Sequence, residues 1–120
     1  MHRIADYSTI KDLGFEIGTG GDIDRTFFFT LPSDASVTSN SILAYVVDTI
    51  GSIKNLKLRV TVNKKKAQEL TLNNHHLMTL HEIMGGDYLQ VGQNEIRFHI
   101  YSGTGKLKLS DVVLWWQRDV

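Results

Sequence analysis

The sequence has no cysteine and a single proline among its 120 residues, and 13 Lys and Arg balance 13 Asp and Glu. Without cysteine the chain has no disulfide framework, no thiolate zinc site and no cysteine nucleophile. A net charge of zero gives no general attraction to nucleic acid or to an anionic membrane, so we expect neither as a partner. No run of apolar residues reaches the length of a transmembrane helix.

The N-terminus also lacks a recognisable targeting signal, because residues 1–7 contain no basic stretch followed by an apolar segment. If the chain is complete, this absence predicts a cytoplasmic protein. The length is that of one domain, and we expect residues 1–120 to form a single β-sandwich. Gly, Asp, Ser and Thr are frequent over residues 8–24, and the Gly-rich stretch 18–22 predicts a loop, so we expect a partly irregular N-terminal segment over residues 1–24.

What the chain does have is the pattern of β-strands. Ile96, Phe98 and Ile100 alternate with polar residues, and residues 56–63 alternate in the same way. This period of two is typical of strands with one buried and one solvated face. Helical spacing competes in one place, which predicts at most one short helical turn near residues 76–84. The fold class predicted is all-β, a two-sheet antiparallel jelly-roll sandwich of about eight strands.

The last strand breaks its own alternation. Leu107 and Leu109 define a buried face, and strict alternation would place Asp111 on that face, where an unpaired carboxylate is costly. Either Asp111 has a buried donor or cation, or a bulge near it switches burial to the even-numbered residues that follow. We favour the bulge. In both cases Trp115 and Trp116 point to opposite faces, so one is core and the other lies outside.

Three segments resemble the galactose-binding-like jelly roll: residues 58–63, which end in Val-Asn, residues 89–98, with a Gly-x-Asn turn, and residues 107–114, with an Asp before two apolar residues. That fold is shared by many carbohydrate-binding modules and by accessory sandwich domains of glycosidases. The resemblance implies a binding module. Its motifs are signatures of the fold and carry no activity, because unrelated ligands bind on this scaffold.

The same resemblance implies a candidate metal site. In calcium-bearing members, an early acidic residue and an Asp of the last strand help to hold a structural calcium ion. Asp111 is similar in placement to the late residue, and Glu16, Asp22 or Asp24 could supply the early one. Calcium needs six to eight oxygen ligands, and the Gly-rich loop here lacks a recognisable ligand string. Aspartates that cap turns are the competing interpretation, and no other cofactor is expected.

The tryptophan outside the core is the candidate binding residue. Whether it is Trp115 or Trp116, an indole face can stack on the apolar face of a pyranose while polar groups bind its hydroxyls. Arg97, His99 and Tyr101 lie on the polar face of a strand that we expect nearby. The alternative is that the outer Trp is covered by the N-terminal segment or by another subunit.

No catalytic motif is present, because the Asp, Glu, His and Ser residues form no recognisable set of nucleophile, base and orienting group. We therefore expect no enzyme. The sequence favours a non-catalytic module that recognises a carbohydrate or glycan through a loop or an aromatic face. The alternative is a structural or assembly subunit, of a homo-oligomer or a larger particle, that uses the surplus aromatic residues as a protein interface.

Overall fold

The computed structural model describes residues 2–74 and 77–120 of the chain. Its seven strands form one antiparallel hydrogen-bonded network: β1 (Arg3–Lys11), β2 (Phe15–Gly18), β3 (Asp24–Leu31), β4 (Ser41–Val62), β5 (Lys65–Leu72), β6 (Leu77–Met84) and β7 (Gly92–Asp119). The prediction of an all-β antiparallel fold is confirmed, with seven strands rather than about eight. Among the described residues no helix is long and apolar enough to cross a membrane.

The two longest strands, β4 and β7, form a ribbon that runs through the whole molecule. They pair from Ile42 opposite Trp115 to Val62 opposite Ile96, and the register is irregular in the middle of the ribbon. The first half of β4 pairs with β6, and the second half of β7 pairs with β1 and β2; we call this sheet one. The second half of β4 pairs with β5, and the first half of β7 pairs with β3; we call this sheet two.

The two sheets face each other across a shared core. Phe98 of sheet two contacts Tyr45 and Phe15 of sheet one, with ring centroids 5.5 Å apart in each pair and the rings edge to face. The Tyr45 hydroxyl donates to Gln68 Oε1 on β5, so a hydrogen bond also joins the sheets. Burial raises the pKa of Tyr45 far above its ordinary value, which keeps the hydroxyl neutral. The arrangement is a sandwich.

The ribbon passes from one sheet to the other at a tight corner. Gly103 of β7 has a φ of +83°, and a Cβ at this position would overlap the carbonyl group of Asn55 on β4. Asn55 itself has a φ of 48°. Glycine is therefore required at residue 103 by both backbone conformation and close approach.

Two asparagines from the motifs that resemble the galactose-binding-like fold meet in the structure. The Asn63 side chain donates to Asn94 Oδ1 at 2.8 Å and to the carbonyl oxygen of Tyr88 at 2.7 Å. The buried Asn94 amide also donates to the carbonyl oxygen of Gln90 at 2.8 Å. These bonds satisfy buried polar groups between two strands, so the motif has a structural role.

The predicted helical turn near residues 76–84 is wrong over Leu77–Met84, which forms β6 and pairs with β4; His76 lies outside the described residues. Met78 and Leu80 pack against the core, whereas Leu77 and Ile83 are exposed. A strand with apolar residues on both faces produces spacings of three and four, which imitate a helix.

The Gly-rich stretch over residues 18–22, predicted to be a loop, begins at the end of β2 and lies largely outside the strands. β1 and β2 lie in the N-terminal segment, and the irregular residues around Gly20 connect β2 to β3. The polar residues of β1 are compatible with a strand because β7 supplies a long ladder of backbone partners, from Asp119 opposite Arg3 to Val113 opposite Thr9.

Candidate functional site

A bulge at Asp111 decides which tryptophan is exposed. Asp111 has a φ of 51°, and the pairings of Ala44 with Val113 and of Val46 with Ser110 set three steps of β7 against two steps of β4. The extra residue turns the even-numbered residues that follow towards the core. The predicted bulge is confirmed, and Asp111 itself is exposed.

Trp116 belongs to the core and Trp115 to the surface. Trp116 is 4% exposed, and its Nε1–H donates to Ser8 Oγ at 3.0 Å. Trp115 is 45% exposed and stands beside the ring of Tyr7, with centroids 5.2 Å apart and planes tilted by 43°. Of the two predicted ligand-binding tryptophans, only Trp115 presents its indole to an incoming molecule.

Trp115 lies in a line of exposed apolar side chains that crosses four strands of sheet one. Tyr7 and Ile42 are the cross-strand partners of Trp115, and Ile83 is the partner of Ile42 on the other side. All four are more than a third exposed. We call Tyr7, Trp115, Ile42 and Ile83 the apolar row. A continuous exposed apolar surface that crosses four strands is suited to an extended ligand or to a protein partner.

A shallow pocket of about 170 Å³ opens elsewhere on sheet one, but a second, of about 120 Å³, lies directly beside the Trp115 indole. This second pocket, called the Trp115 pocket, is lined by Ala5, Asn40, Ser41, Ile42, Trp115, Trp116 and Gln117. Ala5 is opposite Gln117, one row beyond the apolar row, and its small side chain leaves the space open. In the described part of the chain, Ser41 Oγ is the one buried side-chain nitrogen or oxygen without a hydrogen-bond partner.

The other predicted ligand-binding residues lie on the opposite side of the molecule, on the outer face of sheet two. Arg97 Nη2 donates to Asp24 Oδ2 at 2.6 Å and lies 3.2 Å from His99 Nδ1. The guanidinium of Arg59 lies over the Tyr101 ring, 4.3 Å from its centroid. The five predicted residues therefore do not converge on one surface.

The charges of sheet two's outer face are compensated by their neighbours. The hydrogen bond from Arg97 lowers the pKa of Asp24, and burial followed by the charge of Arg97 lowers the pKa of His99. Arg59 Nε donates to Glu69 Oε1 at 2.8 Å. These residues bind one another, so none of these ion-paired groups stands ready for a ligand.

The predicted calcium ligands are dispersed. Asp24 is paired with Arg97, Asp111 lies at the bulge, and Glu16 and Asp22 line the 170 Å³ pocket together with Lys106. Over residues 2–74 and 77–120, no group of three or more His, Cys, Asp or Glu residues is arranged to hold a metal ion. The four acidic residues do not form one ligand set.

Sequence reasoning missed the residues around Trp115. Tyr7 fell in the segment predicted to be partly irregular, and Ser41 at the end of a polar segment before β4. Polar and apolar residues do not alternate regularly over Arg3–Lys11, so the sequence carries no clear signal for the strand that holds Tyr7. No local signal identifies Ser41, because its burial depends on the pairing of β4 with β6.

Known proteins resemble this chain in structure but not in sequence. No protein-family model matches the sequence, and no curated protein matches it. The fold of dimeric latent PorU from Porphyromonas gingivalis is similar, with a TM-score of 0.76 and 10% identity over 99% of this chain and 13% of PorU. A β-porphyranase of glycoside hydrolase family 86 from Bacteroides plebeius is also similar, with a TM-score of 0.65 and 16% identity over 97% of this chain and 21% of the enzyme.

A third similar structure has the same size as this chain. The xylan-binding module CBM15 matches with a TM-score of 0.58 and 10% identity over 96% of this chain and 97% of the module. The chain has the β-sandwich fold of carbohydrate-binding modules. This confirms the resemblance in fold. The chain spans about an eighth of PorU and about a fifth of the porphyranase, so it corresponds to a part of those proteins.

Proposed function

We propose that this chain is a non-catalytic carbohydrate-binding module that binds a glycan on the outer face of sheet one. The observation that carries the proposal is the exposed Trp115 ring beside Tyr7, with a pocket next to it. An aromatic face stacks on the C–H face of a pyranose, and polar groups at its edge bind hydroxyls. The similarity to a xylan-binding module of the same length supports the proposal.

The chemistry of the Trp115 pocket favours binding over hydrolysis. A glycosidase needs two carboxyl groups that flank the scissile bond. None of the residues that line this pocket carries a carboxyl group. The carboxylates Glu16 and Asp22 line the other pocket, which contains no aromatic side chain. The aromatic surface and these two carboxylates are thus in separate pockets.

The proposal is tested by affinity electrophoresis in native gels that contain soluble xylan, β-mannan or agarose. We expect at least one polysaccharide to retard the wild-type chain and Trp115→Ala to remove the retardation. Phe28→Ala is the matched control, because Phe28 is an aromatic residue that is 59% exposed on the outer face of sheet two. Equal loss of retardation in both variants, or retained binding in Trp115→Ala, contradicts the proposal.

A second candidate function is assembly of the chain with copies of itself. The observation that favours it is the apolar edge of sheet one, where Leu77 and Ile83 of β6 are 72% and 69% exposed. Exposed apolar side chains at a sheet edge favour association with another chain. Sedimentation equilibrium of the wild type and of Ile83→Asp tests this function. A wild-type oligomer that Ile83→Asp dissociates supports it, and a monomer at high concentration excludes it.

A further inference from the structure

We propose that the free edge of β6 binds β6 of a second copy of this chain, in antiparallel register, so that sheet one continues from one copy into the other. This pairing rests on the second candidate function and gives it a contact strand, a register and a geometry. It does not depend on glycan binding. Three properties of β6 support it: an unprotected edge, exposed apolar side chains and a self-complementary order of residues.

The unprotected edge is the first property. β6 pairs with β4 on one side, and no strand in the described part of the chain pairs with its other side. Lysine, proline, other charged residues or bulges usually blunt such an edge, because its free N–H and C=O groups can pair with another chain. The segment Leu77–Met84 contains no Lys, Arg or Pro, and its register with β4 runs without a shift.

The other edge strands of the sandwich have the protection that β6 lacks. The pairings of β1 and β5 include register shifts. Every other edge strand also carries charged residues: Arg3, Asp6 and Lys11 in β1, Glu16 in β2, Asp24 and Arg25 in β3, and Lys65, Lys66 and Glu69 in β5. The one Asp, Glu, Lys or Arg of β6 is Glu82, which is half-buried opposite the core residue Leu43. The outer face of β6 is therefore free of such charges.

The order of residues in β6 fits a second copy of itself. An antiparallel pair of identical strands has a twofold axis, so each contact occurs twice. With Leu80 opposite Leu80 of the second copy, the opposed residues are Leu77 and Ile83, Met78 and Glu82, and Thr79 and His81. This register sets the two exposed apolar side chains of β6, Leu77 and Ile83, against each other and opposes no two carboxylates. A shift of two residues in either direction separates Leu77 from Ile83.

Pairing along this edge leaves the outer face of sheet one open. The twofold axis of an antiparallel pair is perpendicular to the sheet, so both copies keep their outer faces on the same side. Trp115 lies on β7, and β4 separates it from β6. A dimer packed face to face through the apolar row would cover Trp115 instead. The two arrangements therefore differ in whether Trp115 contributes to self-association.

Sedimentation equilibrium of a charged-edge variant tests the pairing. Thr79 and His81 are exposed on the outer face of β6. The wild type should be a dimer, and the double variant Thr79→Lys, His81→Lys should raise its dissociation constant at least about tenfold, because lysines would oppose lysines across the twofold axis. The matched control, Thr26→Lys with Thr30→Lys on the β3 edge, should stay dimeric. A monomeric wild type overturns the pairing and the second candidate function together. A dimer that the β6 variant leaves intact overturns the pairing alone.

Single cysteines test the register, since the chain has no cysteine of its own. A mixture of Thr79→Cys and His81→Cys chains should form disulfide-linked dimers on oxidation. Either variant alone should form fewer, because its two cysteines would lie two residues out of register. Preferential linkage of one variant with itself overturns the register. Trp115→Ala should remain dimeric, and its dissociation would replace edge pairing by face-to-face packing. None of these measurements uses a glycan, so failure of the pairing and failure of glycan binding are distinguishable.

Discussion

The two outer faces of the sandwich differ in the side chains that they expose. On sheet two, Arg97, Asp24 and Arg59 are held in ion pairs and hydrogen bonds with their neighbours. On sheet one, the apolar row exposes aromatic and aliphatic side chains beside the Trp115 pocket. A face whose polar groups satisfy one another needs no ligand. A face with a row of exposed apolar side chains gains from a partner that covers it.

Two of the sequence motifs have a structural role in the fold. The asparagines of the Val-Asn and Gly-x-Asn motifs bind each other in the interior, away from both outer faces. The exposed Trp115 lies outside those motifs. The motifs therefore account for the β-sandwich fold, and they do not locate the exposed aromatic surface.

The largest effect on stability is expected from a substitution in the interior, which supports both faces equally. Asn94→Ala leaves the side chain of Asn63 and the backbone N–H of Gln90 without their acceptor, and the free energy of unfolding should fall by about 2–3 kcal/mol. Urea denaturation measures this loss. The folded fraction should still bind polysaccharide, and a loss of binding without a loss of stability would assign Asn94 to the site.

The next largest effect is a change in affinity, which distinguishes the two faces directly. Trp115→Ala should raise the Kd for the bound oligosaccharide by about 30-fold, because a central aromatic contact of this kind typically contributes about 2 kcal/mol. Phe28→Ala, on sheet two, should leave the Kd unchanged. Calorimetry measures both variants, and the comparison fails if Phe28→Ala weakens binding as strongly as Trp115→Ala.

A smaller effect is expected from the charged face. Arg97→Ala removes the pair with Asp24, both of whose side chains are about 40% exposed, so unfolding free energy should fall by about 0.5 kcal/mol at low salt. The loss should shrink in high salt because exposed ion pairs are screened. Glycan binding should not change. A large loss of affinity in Arg97→Ala would move the binding site to sheet two.

The smallest effect is a pH dependence on the same face. The pKa of folded His99 lies below its ordinary value of 6.5, chiefly because of burial, so the unfolded chain binds the proton more readily. The contribution of neutral His99 to the free energy of unfolding is complete above pH 6.5 and is lost as the pH falls below that value. His99→Gln should flatten this fall when urea denaturation is compared between pH 7.5 and pH 5.5. An identical slope in both proteins would contradict the assignment.

The sequence predicted strands well where one face is buried, as at Ile96, Phe98 and Ile100, and it predicted the bulge because an aspartate interrupted an apolar alternation. It failed at β6, where both faces are apolar. It also placed Arg97 on a strand next to that of the outer tryptophan, whereas both residues belong to the one 28-residue strand β7. The corner at Gly103 carries the strand from sheet two to sheet one between them, and a local pattern does not reveal such a crossing.

The most direct test is a ¹H–¹⁵N NMR titration with an oligosaccharide of the polysaccharide that retards the wild type in native gels. The chain has two tryptophans, and therefore two indole N–H signals, which Trp115→Phe assigns. We expect the Trp115 signal to shift. The signal of Trp116, which is buried and bonded to Ser8, and the backbone signals of Arg97 and His99 should stay in place. Shifts at Arg97 and His99 with a stationary Trp115 signal would contradict the proposed site.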